Sequence, residues 1–272
     1  MRGDLHIHSR YSDGSLEFDE IANIAKNYSL DYISFTDHDC LHYFEQISAI
    51  CNSYNIKAIS GVELSCTDFS RGRRVHILCY NAQKPHILKP ICDEVMKSRI
   101  NAGNIMTEKV SKIYNILPEA IKKYASQSEC IYKQHIMHAL MDYGYTLKIY
   151  SELYDKIFGN NEGSCYVKVK YIDVRDVLTA VHDACGKAII AHPGVYDSFE
   201  LLDELISEKS IDGIEVWHPK HSKKETEYLY DKAISNNLIA TGGSDFHGIY
   251  NSTVSQIGKC FTPKEYIDML LN

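Results

Sequence analysis

No run of about 18 apolar residues occurs in the 272-residue chain, so nothing in it reads as a membrane span. No basic block is present either. Net charge is −7 with acids and bases interspersed, which argues against a stable duplex-DNA groove and leaves small anionic substrates to local charges. None of the nine cysteines forms a C-x-x-C pair, and their number is odd and their spacing irregular. They read as buried free thiols of a reducing compartment, and the N-terminus has no apolar signal region; together these predict a cytoplasmic protein. There is no internal repeat and no low-complexity tract. Tryptophan occurs once, against thirteen histidines and twenty tyrosines. The histidines carry the information, through where they fall.

Arg2 to Ile7 reads as a strand, so His6 and His8, at i and i+2, aim at one point near its C-terminal end. Two neutral imidazoles so aimed can hold a divalent ion, and Asp13 follows in a loop punctuated by Gly14. An HxH pair alone is a weak signal; the rest of the chain decides. A helix is predicted over 16–27 with Ser15 as N-cap, then a strand over 32–35 running into Thr36-Asp37-His38-Asp39. A helix over 43–54 precedes strand 56–60, which Gly61 turns into Val62-Glu63-Leu64-Ser65-Cys66, with Glu63 on the face opposite Val62 and Leu64. Arg71-Gly72-Arg73-Arg74 reads as a turn, and 75–80 as a strand carrying His76.

From Ile91 to Tyr154 helical periods replace strands, with Gly144 as a stop. This predicts a barrel domain over 1–97 and 166–272 and a helical insertion over 98–165, leaving through the loop 159–164 and capping the substrate. Strands then return over 187–191, 211–217 and 238–241, with helices over 174–185, 199–207, 223–236 and 263–270. Repeated strand-then-helix units imply parallel strands, and such folds place their chemistry beyond the carboxyl ends of the strands. His8, His38, His192, His218, and Asp245 with His247, all fall at those ends.

Nine candidate ligands emerge: His6, His8, Asp13, His38, Glu63, His76, His192, Asp245 and His247. Imidazole and carboxylate without thiolate suit manganese, iron or zinc in a catalytic site. Nine is too many for one ion; two or three ions sharing a bridging carboxylate fit, with Glu63 as the bridge. Ordinary alternatives exist. His76 can be a plain strand histidine, Glu63 a partner of Arg74, His192 a polar strand end, and Asp13 and Asp245 turn caps. Asp37 reads as a partner that orients a ligand.

The segments DLHIHSRYSDG, FTDHD, GVELS, VHILCY, AHPG and GGSDFHG, in that order, resemble the PHP (polymerase and histidinol phosphatase) family of metal-dependent phosphoesterases. The resemblance implies a distorted (β/α)7 barrel with three ions per chain. It places His6, His8, Glu63 and Asp245 on one ion, Glu63, His76 and His192 on the second, and Asp13, His38 and His247 on the third. Within the family, Lys133-Gln134-His135-Ile136-Met137 and His218-Pro219-Lys220-His221-Ser222 are similar to segments of the subgroup that dephosphorylates nucleoside 3',5'-bisphosphates and trims short RNA from its 5' end. Lys133 stands where that subgroup has arginine, replacing a bidentate fork by a point charge.

The expected reaction is hydrolysis of a phosphomonoester, the 3'-phosphate of such a bisphosphate or a related nucleotide or short RNA, by a bridging water that the ions deprotonate. Asp13, His38, Glu63 and His247 are the expected catalytic residues; Arg10, Lys133, His135, His218 and His221 the expected substrate contacts. The alternatives are a histidinol-phosphate or other small-molecule phosphatase, an amidohydrolase-like C–N hydrolase, and a non-catalytic metal-binding module. TDHD and GSDFH are not amidohydrolase wording, and the intact ligand set argues against the third.

Overall fold

Gly3 to His8 are all buried at the start of the chain, where Arg2–Ile7 forms the first strand, β1. The computed structural model describes residues 1–159, 162–252 and 255–272, so Asn160 and Asn161 of the expected exit loop lie outside the described residues. The other strands are β2 (Tyr32–Phe35), β3 (Lys57–Ala58), β4 (Gly61–Asp68), β5 (Arg73–Tyr80), β6 (Ile172–Asp173), β7 (Lys187–Ile190), β8 (Gly213–Trp217), β9 (Ile239–Gly242) and β10 (Thr262–Pro263). The helices are α1 (Phe18–Asn27), α2 (Phe44–Ser53), α3 (Lys89–Tyr114), α4 (Pro118–Lys122), α5 (Lys133–Asp142), α6 (Glu152–Phe158), α7 (Val174–Asp183), α8 (Phe199–Ser207), α9 (Lys223–Ser235) and α10 (Lys264–Leu271).

This is a mixed α/β fold with two sheets, ordered β10-β1-β2-β3 and β6-β4-β5-β7-β8-β9. Parallel pairing holds for β1/β2, β2/β3, β4/β6, β7/β8 and β8/β9. It fails at β10, which is antiparallel to β1, and at β5, which is antiparallel to both β4 and β7. At β5 the reason is local: only Phe69–Gly72 joins β4 to β5, too short for a crossover helix, and Gly72 takes φ +65° to close the turn. Arg73 and Arg74, expected in that turn, belong to β5.

Two seams tie the sheets together. At one, Asp245 N–H donates to His6 O at 2.9 Å and His8 N–H to Phe246 O at 2.9 Å. At the other, Asp39 N–H donates to Glu63 O at 2.9 Å. Gly243 is needed at the first seam, because a Cβ there would collide with the backbone of His6.

Alternation on β4 sends Val62, Leu64 and Cys66 into the apolar layer under α7 and α8, leaving Glu63 on the opposite face as expected. α1 and α2 cover β1 and β2 with a second layer that includes Ile21, Ala25 and Cys51. Helices α3 to α6 form their own apolar cluster, joined by Tyr250. α3 runs unbroken through position 98, so the expected start of the insertion falls inside a helix. No helix among the described residues is long and apolar enough to cross a membrane.

Two local expectations change. α1 is capped by Glu17 in a reciprocal capping box with Glu20 rather than by Ser15, whose hydroxyl instead accepts Ile249 N–H at 3.0 Å. All nine cysteines are free, but only six are buried: Cys40 and Cys260 are half-buried, and Cys185 is exposed where α7 ends in a left-handed residue, φ 54°.

Candidate metal centre

β1 presents His6 and, one residue past its end, His8, with their Nε2 atoms 3.2 Å apart. Two nitrogen lone pairs cannot face each other at that distance without a proton or a cation between them. The chain then turns through Ser9–Gly14. Asp37 holds this turn: it accepts from Ser9 N–H at 2.8 Å, Ser9 Oγ at 2.6 Å and Ser12 Oγ at 2.5 Å, and pairs with His42 Nε2 at 2.7 Å. Asp37 thus fixes the loop that delivers Asp13, a more specific task than orienting its neighbour His38.

Glu63 is the hub. Its Oε1 lies 2.6 Å from His76 Nδ1 and 3.0 Å from His192 Nε2. Its Oε2 lies 3.4 Å from His6, 3.2 Å from His8 and 2.9 Å from His38. Each oxygen therefore serves a different set of imidazoles, and none of them is Arg74. Asp245 Oδ1 stands 3.3 Å from His8 and 3.6 Å from His6, while Asp13 Oδ1 is 3.2 Å from His247 Nε2. All nine expected ligands converge on this one place. Donor atoms close enough to share an ion occur as His6–His8–Glu63, as His38–Glu63–His76, as His8–Asp13–His38–His247, and as His6–His192–Glu215. His192 and Asp245 sit at φ 28° and 50°, a region costly for non-glycine residues.

The donors fit divalent ions. His8 Nδ1, His38 Nδ1, His192 Nδ1 and Glu63 Oε2 are buried without a hydrogen-bond partner among the described residues. His38 Nδ1 and Glu63 Oε2 are close but not aligned as donor and acceptor, as expected of two ligands aimed at a common point. The electrostatics agree. Burial opposes ionisation of Glu63, Asp13 and Asp245, yet the surrounding histidines hold all three well below the usual carboxylate range. Burial likewise opposes charge on His8, but Asp245 and Glu63 outweigh it and lift the imidazole to about 10.

That shift sets a pH dependence. With a pKa near 10, the metal-free His8 is protonated at neutral pH, so an ion must displace that proton. Apparent affinity should then rise with pH, roughly tenfold per unit for each proton released. Titration calorimetry with manganese in two buffers of different ionisation enthalpy should show net release of at least one proton at neutral pH. Zero release would contradict the charge balance described here.

Above the centre opens a cavity of about 230 Å³ lined by Arg74, Arg99 and Lys133 and by a wall of tyrosines that includes Tyr132, Tyr166, Tyr171 and Tyr196. Lys133, an expected substrate contact, is on this wall. His218 is beside the centre, its Nε2 3.2 Å from Asp245 Oδ2. The other three expected contacts fall elsewhere. Arg10 pairs with Glu17 at 2.8 Å beside a separate depression. His135 is buried, its Nδ1 accepting Tyr132 N–H at 3.2 Å in the first turn of α5. His221 accepts Gly194 N–H at 3.3 Å and bonds Val216 O at 2.9 Å, buttressing two loops.

One participant escaped the sequence reading. Glu215, fully buried on β8, places Oε1 2.9 Å from His6 Nδ1 and accepts His192 N–H on Oε2 at 2.8 Å. Despite burial, His6 pulls its pKa down to about 2. The available signal was one acid in the otherwise apolar strand Gly213–Trp217.

Comparison with known proteins accords with this geometry. The PHP domain family matches residues 4–183. The phosphoribosyl 1,2-cyclic phosphate 1,2-diphosphodiesterase of Eggerthella lenta is 34% identical over 251 residues, covering 91% of this chain and 95% of that one. The 3',5'-nucleoside bisphosphate phosphatase of Chromobacterium violaceum is 29% identical over 255 residues, covering 90% and 86%. A solved protein of Bifidobacterium adolescentis, described as a metal-dependent phosphoesterase, shares the fold at a TM-score of 0.88 and 22% identity, over 99% of this chain and 95% of that one. With the matched segment spanning most of β1 to α7 and the first of these relatives aligned almost end to end, this chain belongs to the PHP family and is a metal-dependent phosphoesterase.

Proposed function

We propose that the chain hydrolyses a phosphate ester on a ribose that carries a second phosphate, with the 3'-phosphate of a nucleoside 3',5'-bisphosphate as the favoured target and the 5'-terminal linkage of short 5'-phosphorylated RNA in the same class. The observation that carries this is the division of Glu63 between two sets of imidazoles at the floor of a cavity walled by cations and tyrosines. His6, His8, Glu63 and Asp245 would hold one divalent ion, Glu63, His76 and His192 a second, and Asp13, His38 and His247 a third. Bound there, such ions supply Lewis-acid stabilisation of phosphoryl charge and a nucleophilic water at neutral pH.

The chain's own groups do the rest. Asp37 and His42 lock the loop bearing Asp13. Glu215 keeps the His6 proton on Nδ1, since a carboxylate only accepts, which leaves Nε2 free to ligate. His218 braces Asp245. The tyrosine wall limits water and offers ring faces to a sugar or base. Helices of the 98–165 segment act as the substrate cap. We also read the two sheets, joined at their seams, as one distorted seven-stranded barrel.

A second reading is a cyclic phosphodiester of phosphoribose, favoured by the Eggerthella relative. The test is hydrolysis, with added manganese and the organic products resolved by chromatography, of adenosine 3',5'-bisphosphate, phosphoribosyl 1,2-cyclic phosphate, a 5'-phosphorylated RNA trimer and histidinol phosphate. The bisphosphate should exceed histidinol phosphate at least tenfold in kcat/KM. A higher value for the cyclic ester would establish the second reading, and a preference for histidinol phosphate would defeat both.

A further inference from the structure

Arg74 and His76 stand two residues apart on β5, so their side chains leave the same face of the strand. That face is the cavity wall, where His76 meets Glu63. Lys133 reaches the same wall from the first turn of α5. Among the described residues neither cation has a carboxylate partner. The Arg74 guanidinium lies 5.2 Å from the ring of Tyr171 and 5.9 Å from that of Tyr196, and the Lys133 ammonium 4.7 Å from that of Tyr166. Arg99, on the same wall, is different: it is tied to Asp39 at 3.0 Å and to Ser65 Oγ at 2.6 Å. Burial first, and the charge of Arg74 second, push the Lys133 ammonium down to about 8. Two partly desolvated cations in each other's field, with no anion between them, form an arrangement that an anion from solution completes.

We propose that Arg74 and Lys133 form a subsite for a phosphate of the substrate other than the one cleaved, with Arg74 selecting bisphosphorylated over monophosphorylated substrates. The guanidinium offers a planar fork to phosphate oxygens and the ammonium a mobile point charge. Two residues of strand separate Arg74 from His76 by roughly 7 Å, a span that one pentose ring bridges. Flanking tyrosine faces suit the sugar and an attached base. The proposal rests on the reading above only for the position of the cleaved phosphate.

The experiment uses manganese-loaded wild type, Arg74→Met and Arg74→Lys, with hydrolysis of p-nitrophenyl phosphate as the reporter. Adenosine 3',5'-bisphosphate, adenosine 3'-monophosphate and inorganic phosphate are run as competitors. Wild type should bind the bisphosphate at least tenfold more tightly than the monophosphate. In Arg74→Met that ratio should fall below twofold, and in Arg74→Lys it should be intermediate, because charge survives without the fork. Melting temperatures check that the variants fold. A ratio unchanged in Arg74→Met overturns the proposal, as does an equal loss for all three competitors. A loss confined to inorganic phosphate would make this a free-phosphate site and also overturn it. A wild type that prefers the bisphosphate as a competitor but does not cleave it would defeat the substrate reading and leave the subsite standing.

Discussion

Replacing Glu63 by glutamine should lower turnover of any phosphate ester about a thousandfold, the equivalent of the several kcal/mol that Lewis-acid stabilisation supplies. The amide is nearly isosteric but brings one neutral acceptor and one donor where the site uses two anionic acceptors. Its NH2 would face either His76 and His192 or His6, His8 and His38, each set approaching one Glu63 oxygen. Whichever set it faces loses an ion ligand. Loading wild type with manganese should raise its melting temperature by mass action, and loading Glu63→Gln should raise it much less. A variant that keeps wild-type turnover would remove Glu63 from the centre.

Glutamine at position 215 should weaken ion affinity by about 10- to 100-fold, because Glu215 decides which nitrogen of His6 is free to ligate. The reason is proton bookkeeping. Glu215 accepts two N–H groups, from His6 Nδ1 and from the His192 main chain. An amide can accept only with its oxygen. The main-chain N–H cannot become an acceptor, so the oxygen stays there and the NH2 turns to His6 Nδ1. His6 then carries its proton on Nε2, the atom 3.2 Å from His8 Nε2 and 3.4 Å from Glu63 Oε2. Chelator competition with manganese reads the loss directly. Affinity equal to wild type, with an unchanged metal-free melting temperature, would mean that the His6 tautomer is set by something else.

The floor of the site was legible because six of the nine expected ligands follow closely on strand ends, a position that topology brings together, while His6, Glu63 and His76 lie within β1, β4 and β5. HxH on β1, TDHD after β2 and SDFH after β9 are short-range patterns, and their geometry follows from period-two alternation. The wall was less legible. Arg74 reads locally as part of a basic turn, and only pairing with β4, in the register Thr67 opposite Arg74, shows it to be strand and therefore on the face of His76. Antiparallel β5 was missed for the same reason: strand direction depends on the length of a connection, which the alternation of strands and helices does not show. His135 and His221 read as substrate contacts in sequence, yet Nδ1 of His135 is spent on the Tyr132 N–H and the two nitrogens of His221 on the Gly194 N–H and the Val216 carbonyl. Glu215 needs the partner strand in view, since its task exists only once β8 lies beside the ends of β1 and β7.

The most direct measurement is anomalous scattering from crystals of manganese-loaded protein, recorded at the metal edge. Ions are expected within bonding distance of both oxygens of Glu63, with His6 and His8 on one side, His76 and His192 on another, and a further ion between Asp13, His38 and His247. An active preparation whose anomalous peaks all lie away from Glu63 would contradict the account.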